Sequence, residues 1–255
     1  MEGTAVRGRL TWQVAKVSQL IDETPSVRTI VLQVPGWAGH RAGQHLDVRL
    51  TAEDGYQAER SYSIASAPGE PVAITVERLE DGEVSPYLTE ELQVGDDLEL
   101  RGPIGGYFVW DADQARDPLL LLAGGSGIAP LHSILRHRER TGSAVPTRLL
   151  YSSRSLPDVI YRNELDRCDG GVEVIYTLTR QQPRGWTGHS GRVDAALLAE
   201  AAWPAGQDPI AFVCGPTAFV ETVAEGLVGL GYRPPRVKTE RFGATGVPGG
   251  PDGGT

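Results

Sequence analysis

Four leucines, Leu119 to Leu122, run into Ala123-Gly124-Gly125-Ser126-Gly127-Ile128-Ala129-Pro130. A short apolar run of this kind reads as a strand buried on both faces of a parallel sheet. Three glycines within four residues then let the chain turn sharply, and let backbone N–H groups approach a ligand with no Cβ between. Leu131, Ile134 and Leu135 repeat at helical spacing, so a helix begins where the loop ends. Strand, loop and helix N-terminus together make an anion site, because unpaired N–H groups and the positive end of the helix dipole converge there. The pyrophosphate of a dinucleotide suits it. The loop departs from the usual dinucleotide fingerprint in one element, Pro130 standing where a third glycine is expected.

Arg60-Ser61-Tyr62-Ser63-Ile64-Ala65-Ser66 sets a cation, an aromatic ring and several hydroxyls on one strand. Alternation puts Arg60, Tyr62 and Ile64 on one face, with Ser61 and Ser63 on the other. Guanidinium suits phosphate, a phenol ring suits stacking, and hydroxyls suit ring heteroatoms. Gly82-Glu83-Val84-Ser85 leads into a helix expected over 85–92, with Ser85 as N-cap and Pro86 at its first position, giving another anion site. Sites of this kind in both halves of the chain suit two nucleotides meeting across a cleft.

These segments need two kinds of scaffold. Up to about residue 115 the pattern is of strands and turns: 11–20, 27–34, 44–50, 60–66, 72–79 and 97–101. Six short strands with hairpin-length links predict a small antiparallel barrel. From Pro118 the period changes. Strands at 119–123, 148–151, 172–177 and 210–214 alternate with helices at 131–140, 161–167, 193–202 and 218–230. That is the rhythm of a doubly wound α/β sheet. The expected organisation is therefore a barrel domain over 1–115, a nucleotide-binding α/β domain over 116–243, and a glycine-rich flexible tail over 244–255.

Composition narrows the chemistry. Net charge is −9, and Ala67 to Asp117 holds thirteen acidic against three basic residues, which reads as a solvated face. There is no basic run for nucleic acid, and no apolar stretch near the roughly 18 residues of a membrane span. The N-terminal stretch has no apolar signal core, so a cytoplasmic protein is expected. Cys168 and Cys214 stand apart, without the spacing of a zinc or iron–sulfur site, so no metal is expected and redox chemistry would need an organic cofactor.

The order of these motifs resembles the ferredoxin–NADP reductase family over nearly the whole of 11–243. RSYSIAS at 60–66 is similar to the family's flavin motif. The resemblance implies that Arg60 binds the flavin pyrophosphate, Tyr62 flanks the ring system and Ser63 bonds near the hydride-accepting nitrogen. Gly82, Val84 and Ser85 resemble the second flavin pyrophosphate motif, and Ser61 and Val76 join the expected flavin-binding set. GGSGIAP at 124–130 looks like the family's nicotinamide-nucleotide loop, which accounts for the proline and assigns Gly124, Gly125, Gly127 and Pro130. Cys214-Gly215-Pro216 is similar to the motif beside the nicotinamide. Glu240-Arg241-Phe242 resembles the Glu-x-aromatic whose ring covers the flavin. Ser63, Cys214 and Glu240 are the expected catalytic residues.

Arg60 together with Gly82–Ser85 provides for a diphosphate, so FAD is expected over FMN. Thr179 and Arg180 match the Ser-Arg pair that grips the adenosine 2′-phosphate in NADP-dependent relatives. Arg154 and Arg162 lie within reach, which favours NADPH as the donor. No iron–sulfur segment is evident at either end, so electrons are expected to pass to a separate ferredoxin-like carrier. The alternatives are an NAD(P)H-dependent reductase component serving an oxygenase, or a non-catalytic redox-sensing subunit.

Overall fold

The computed structural model describes residues 10–242; the predicted tail, 244–255, lies outside the described residues. The first half is a six-stranded antiparallel sheet built from β1 (Gln13–Thr24), β2 (Val27–Gln33), β3 (His45–Thr51), β4 (Gln57–Ser63), β5 (Val72–Glu77) and β6 (Asp97–Ile104). Its strand order is β4-β3-β6-β1-β2-β5. The two edges meet: Ile64 bridges Ile74, and the Ala65 N–H donates to Ala73 O at 2.8 Å. Closure removes the exposed edges and makes the sheet a barrel. Ile30, Leu46, Val48, Ile64, Ile74 and Leu100 are fully buried inside it, each contributing about 1.5–3 kcal/mol of hydrophobic stabilisation.

The expected helix over 85–92 is mostly a π-helical turn, Tyr87–Glu91, whose Leu88, with Val84 and Leu92, packs into the barrel core. Ser85 does not cap it. Its hydroxyl instead accepts the Leu79 N–H at 3.1 Å and so ties down the loop that carries Gly82.

The second half is a six-stranded parallel sheet: β7 (Leu119–Gly124), β8 (Thr147–Ser153), β9 (Val172–Leu178), β10 (His189–Ser190), β11 (Ile210–Pro216) and β12 (Val237–Phe242), in the order β10-β9-β8-β7-β11-β12. Helices α1 (Ile128–Arg140), α2 (Arg162–Leu165), α3 (Ala195–Ala201) and α4 (Thr217–Gly229) connect the strands. Leu119, Leu121 and Ala123 pack in one apolar cluster with α1, while Leu120 and Leu122 pack in another with α3 and α4. This is why β7 is apolar throughout. Three short elements differ from expectation, one of them β10, an unpredicted two-residue strand beside β9. The helix over 161–167 contracts to α2, and β12 is an additional strand whose charged residues (Lys238, Glu240, Arg241) hid it; it pairs on one side only, with β11. Asp194 caps α3 by accepting the Leu197 N–H at 2.9 Å. Among the described residues no helix is long and apolar enough to cross a membrane.

The halves are locked together. Arg136 on α1 grips Glu70 with two bonds of 2.7 and 3.1 Å, and the Ser133 hydroxyl donates to Ser66 O at 2.7 Å. Tyr161 holds a left-handed backbone (φ 57°), uncommon for a residue with a Cβ. Its ring stacks on His132 at 3.8 Å, and its buried hydroxyl meets Thr75, which also bonds Thr29 at 2.8 Å. Tyr161→Phe keeps the stacking and leaves Thr75 a partner, so it should cost about 1 kcal/mol of stability, read as a shift in urea midpoint with unchanged slope.

Candidate active site

In an open α/β sheet a ligand binds beyond the carboxyl ends of the strands, where the chain reverses its direction of winding. Here that point lies between β7 and β11: β8, β9 and β10 follow on one side, β12 on the other. The glycine loop leaves β7 there as a 3-10 turn, Gly125–Gly127, that runs straight into α1. Cys214-Gly215-Pro216 leaves β11 beside it. The approach is very close. A Cβ on Gly127 would sit 2.2 Å from Cys214 O, and one on Gly215 would sit 3.2 Å from the Gly124 backbone. Gly127 and Gly215 therefore bring the two loops together, and Pro130 is buried in the first turn of α1.

Strand register and one side-chain contact bring the three expected catalytic residues together around Glu240. Cys214 and Glu240 are direct partners on β11 and β12, and Ser63 ends β4 opposite His45 on β3. Burial pushes the Glu240 carboxyl up to about 7, and the Ser63 hydroxyl offsets part of the rise. Glu240 Oε1 lies 3.7 Å from His45 Nδ1, and Oε2 is buried with no hydrogen-bond partner. Cys214 is 1% exposed; burial first, and the Glu240 charge second, push its thiol well up, so it is a neutral thiol and not a nucleophile. Burial lowers the His45 pKa, with Asp47 partly opposing. Sequence reasoning missed His45, which the pairing of β3 with β4 across from Ser63 would have revealed.

On the barrel, Arg60 is exposed and its Nη2 lies 2.5 Å from Glu83 Oε2, while the Tyr56 hydroxyl donates to Glu83 Oε1 at 2.8 Å. Those two partners, Tyr56 first, hold the Glu83 carboxyl below its ordinary range. Arg60 thus stands over the loop of Gly82, where a Cβ would come within 2.7 Å of Ser85 Oγ. Tyr62 is half-buried, with its phenol pushed up to about 12 by burial. Val76 and Val84 are wholly buried in the barrel core, so only their backbone is offered to a ligand. Ser61 donates to Asp47 Oδ1 at 2.6 Å, turned away from Arg60. An exposed guanidinium beside a tight glycine loop, and an unpartnered carboxyl oxygen where two lobes meet, fit a flavin diphosphate at one end and a flavin ring at the other.

A cavity of about 400 Å³ opens along the strand ends, lined by Gly124, Gly125, Arg154, Thr179, Pro216 and Phe242 from the expected set. Glu77, Arg192 and Phe219 also line it, though no sequence motif singled them out. Arg180 is exposed next to Thr179, and its N–H donates to Arg154 O at 2.9 Å, joining the ends of β8 and β9. Arg162 stands apart from the cavity lining and pairs with Asp166 at 3.4 Å along α2.

Two family models match the chain. Residues 14–109 match the family model of an oxidoreductase FAD-binding domain, and 121–225 that of an oxidoreductase NAD-binding domain. The chain is 37% identical over 211 residues to a ferredoxin–NADP reductase B of Sorangium cellulosum, covering 79% of this chain and 84% of that protein. It is 34% identical over 251 residues to the glycine betaine monooxygenase reductase subunit of Chromohalobacter salexigens; that match takes in 95% of this chain but only 66% of the longer relative. Among solved structures, the FAD/NAD-binding domain of nitric oxide dioxygenase from Vibrio cholerae superposes with a TM-score of 0.81 at 24% identity, over 91% of this chain and 99% of that one.

Proposed function

The chain belongs to the ferredoxin–NADP reductase family, the oxidoreductases that join an FAD-binding to an NAD-binding domain, and on that premise we propose that it passes hydride from NADPH to FAD and electrons onward to a separate carrier. The meeting of Ser63 from the barrel with Cys214 and Glu240 from the sheet carries this reading. The flavin half is taken as 1–115 and the nucleotide half as 116–243. Bound FAD supplies the conversion of a hydride into single electrons; the protein supplies position. Arg60 and the Gly82–Ser85 loop hold the flavin diphosphate, and Tyr62 flanks the ring. The Gly124–Gly127 loop and Arg154 hold the dinucleotide, with Thr179 and Arg180 toward its 2′-phosphate. Cys214 packs as a small polarisable group beside the nicotinamide, Glu240 holds a proton at its carboxyl, and Phe242, 36% exposed at the cavity mouth, excludes water.

The relatives named as an oxygenase reductase subunit and as a ferredoxin reductase support two kinds of acceptor, a ferredoxin-like carrier or an oxygenase component. Because its reductant is an intracellular nucleotide, the protein is placed in the cytoplasm. Purified, FAD-loaded protein should bleach anaerobically with NADPH and recolour when an electron carrier is added. Arg180→Ala should raise the KM for NADPH at least tenfold and leave that for NADH within twofold. Equal rates with the two nucleotides in the unaltered protein would refute the NADPH preference.

A further inference from the structure

Glu77 ends β5, and its carboxylate reaches out of the barrel into the wall of the dinucleotide cavity. Oε2 accepts the Ser126 hydroxyl at 2.8 Å, and Oε1 lies 3.9 Å from Arg154 Nη1. A Cβ on Gly125 would come within 3.9 Å of the same Oε2. These partners are groups that the sheet half offers to an anion: the hydroxyl of the glycine loop that leads into α1, and the guanidinium that follows β8. A site suited to a diphosphate therefore already holds one negative charge, supplied from the opposite lobe. The Glu77 side chain is 23% exposed, so a path out of the cavity is open to it.

We propose that Glu77 is an internal anion mimic: it occupies the pyrophosphate position of the glycine loop, and an incoming dinucleotide must displace it from Ser126 and Arg154. The proposal rests on reading the cavity as a dinucleotide site. Glu77 thereby weakens binding of the reduced and oxidised nucleotides alike. An enzyme that turns over repeatedly gains from this, because uniformly tight binding slows product release without lowering the barrier. The contact also spans the cleft, since Glu77 follows Val76 of the barrel core while Ser126 and Arg154 belong to the sheet. A carboxylate that instead accepted hydrogen bonds from a ribose would have the opposite effect, strengthening the complex.

The test is equilibrium binding to the FAD-loaded full chain, followed by calorimetry and by flavin difference absorbance, with NADP⁺ and NAD⁺ titrated separately. Glu77→Gln keeps the size of the side chain and removes its charge. It should lower Kd about tenfold for whichever nucleotide binds, the scale of one like-charge contact near a protein surface. Glu77→Asp, which withdraws the charge by one methylene, should give a smaller gain. Adenosine, which has no phosphate, should bind both proteins equally. An unchanged or raised Kd in Glu77→Gln, with the unaltered chain binding normally, overturns the proposal and leaves the dinucleotide site standing. Failure of both proteins to bind either nucleotide overturns the two together.

Discussion

Gly127→Ala should lower kcat/KM for NADPH-driven flavin reduction about 100-fold and destabilise the protein by about 3 kcal/mol. The added Cβ would lie 2.2 Å from Cys214 O, 2.5 Å from Cys214 C and 2.8 Å from Gly215 N, all backbone atoms with no rotamer to yield. Either the loop or the end of β11 must move by about an ångström, and interiors packed to crystal density resist that. A displacement of that size at a reacting centre costs about 100-fold in rate. Cys214 is the register partner of Glu240, so the shift also disturbs the carboxyl. Gly125→Ala is the internal control. Gly125 has φ 56°, and its nearest neighbour would be Glu77 Oε2 at 3.9 Å, so the cost there is left-handed strain of about 1–2 kcal/mol without a clash. Rates and melting temperatures of the two variants, measured with FAD bound, separate the cases; Gly127→Ala at the native rate would mean that β7 and β11 do not approach this closely.

The same pair shows what the chain discloses before it folds. GGSG marks a turn and a phosphate loop, because glycine removes Cβ wherever it stands, but the motif does not say which glycine faces the ligand and which faces the protein. Gly124 and Gly125 line the cavity; Gly127 meets β11. Periodicity located most barrel strands and the core sheet strands, since alternation and apolar runs report burial directly. It failed at β12, where Lys238, Glu240 and Arg241 leave no apolar pattern to report the strand that the backbone adds at the sheet edge. Ser85 failed as a cap for a related reason: its hydroxyl had a nearer claimant in the Leu79 N–H. His45 and Glu77 carry no motif at all. Each becomes a site residue only through pairing or packing with a distant segment, His45 through the register with Ser63 and Glu77 through Ser126.

Glu240 carries the second large effect, and its sign follows from burial. Its carboxyl sits at about 7 against an ordinary 4.5, so between those values the native chain holds a proton that the unfolded chain has released. Stability therefore falls as pH rises from about 4.5 to about 7 and is flat above. The loss from this group is at most about 3 kcal/mol, reduced by solvent because the side chain is 26% exposed. Glu240→Gln removes that slope, and the variant should be more stable than the native chain at pH 8. Its effect on turnover runs the other way. Glutamine keeps the shape but has no proton to hold at the crevice, and loss of a positioned acid or base costs about 100-fold or more. Flavin reduction by NADPH in the native protein should decline above pH 7, as the carboxyl ionises, and the variant should be slow with no inflection there. The other neighbours cannot supply that inflection: burial moves His45 below its ordinary value and Cys214 far above. Ser63→Ala withdraws the one group that lowers the Glu240 value and should move the inflection upward. An inflection near 7 that survives in Glu240→Gln would assign the titration to another group and remove Glu240 from the mechanism.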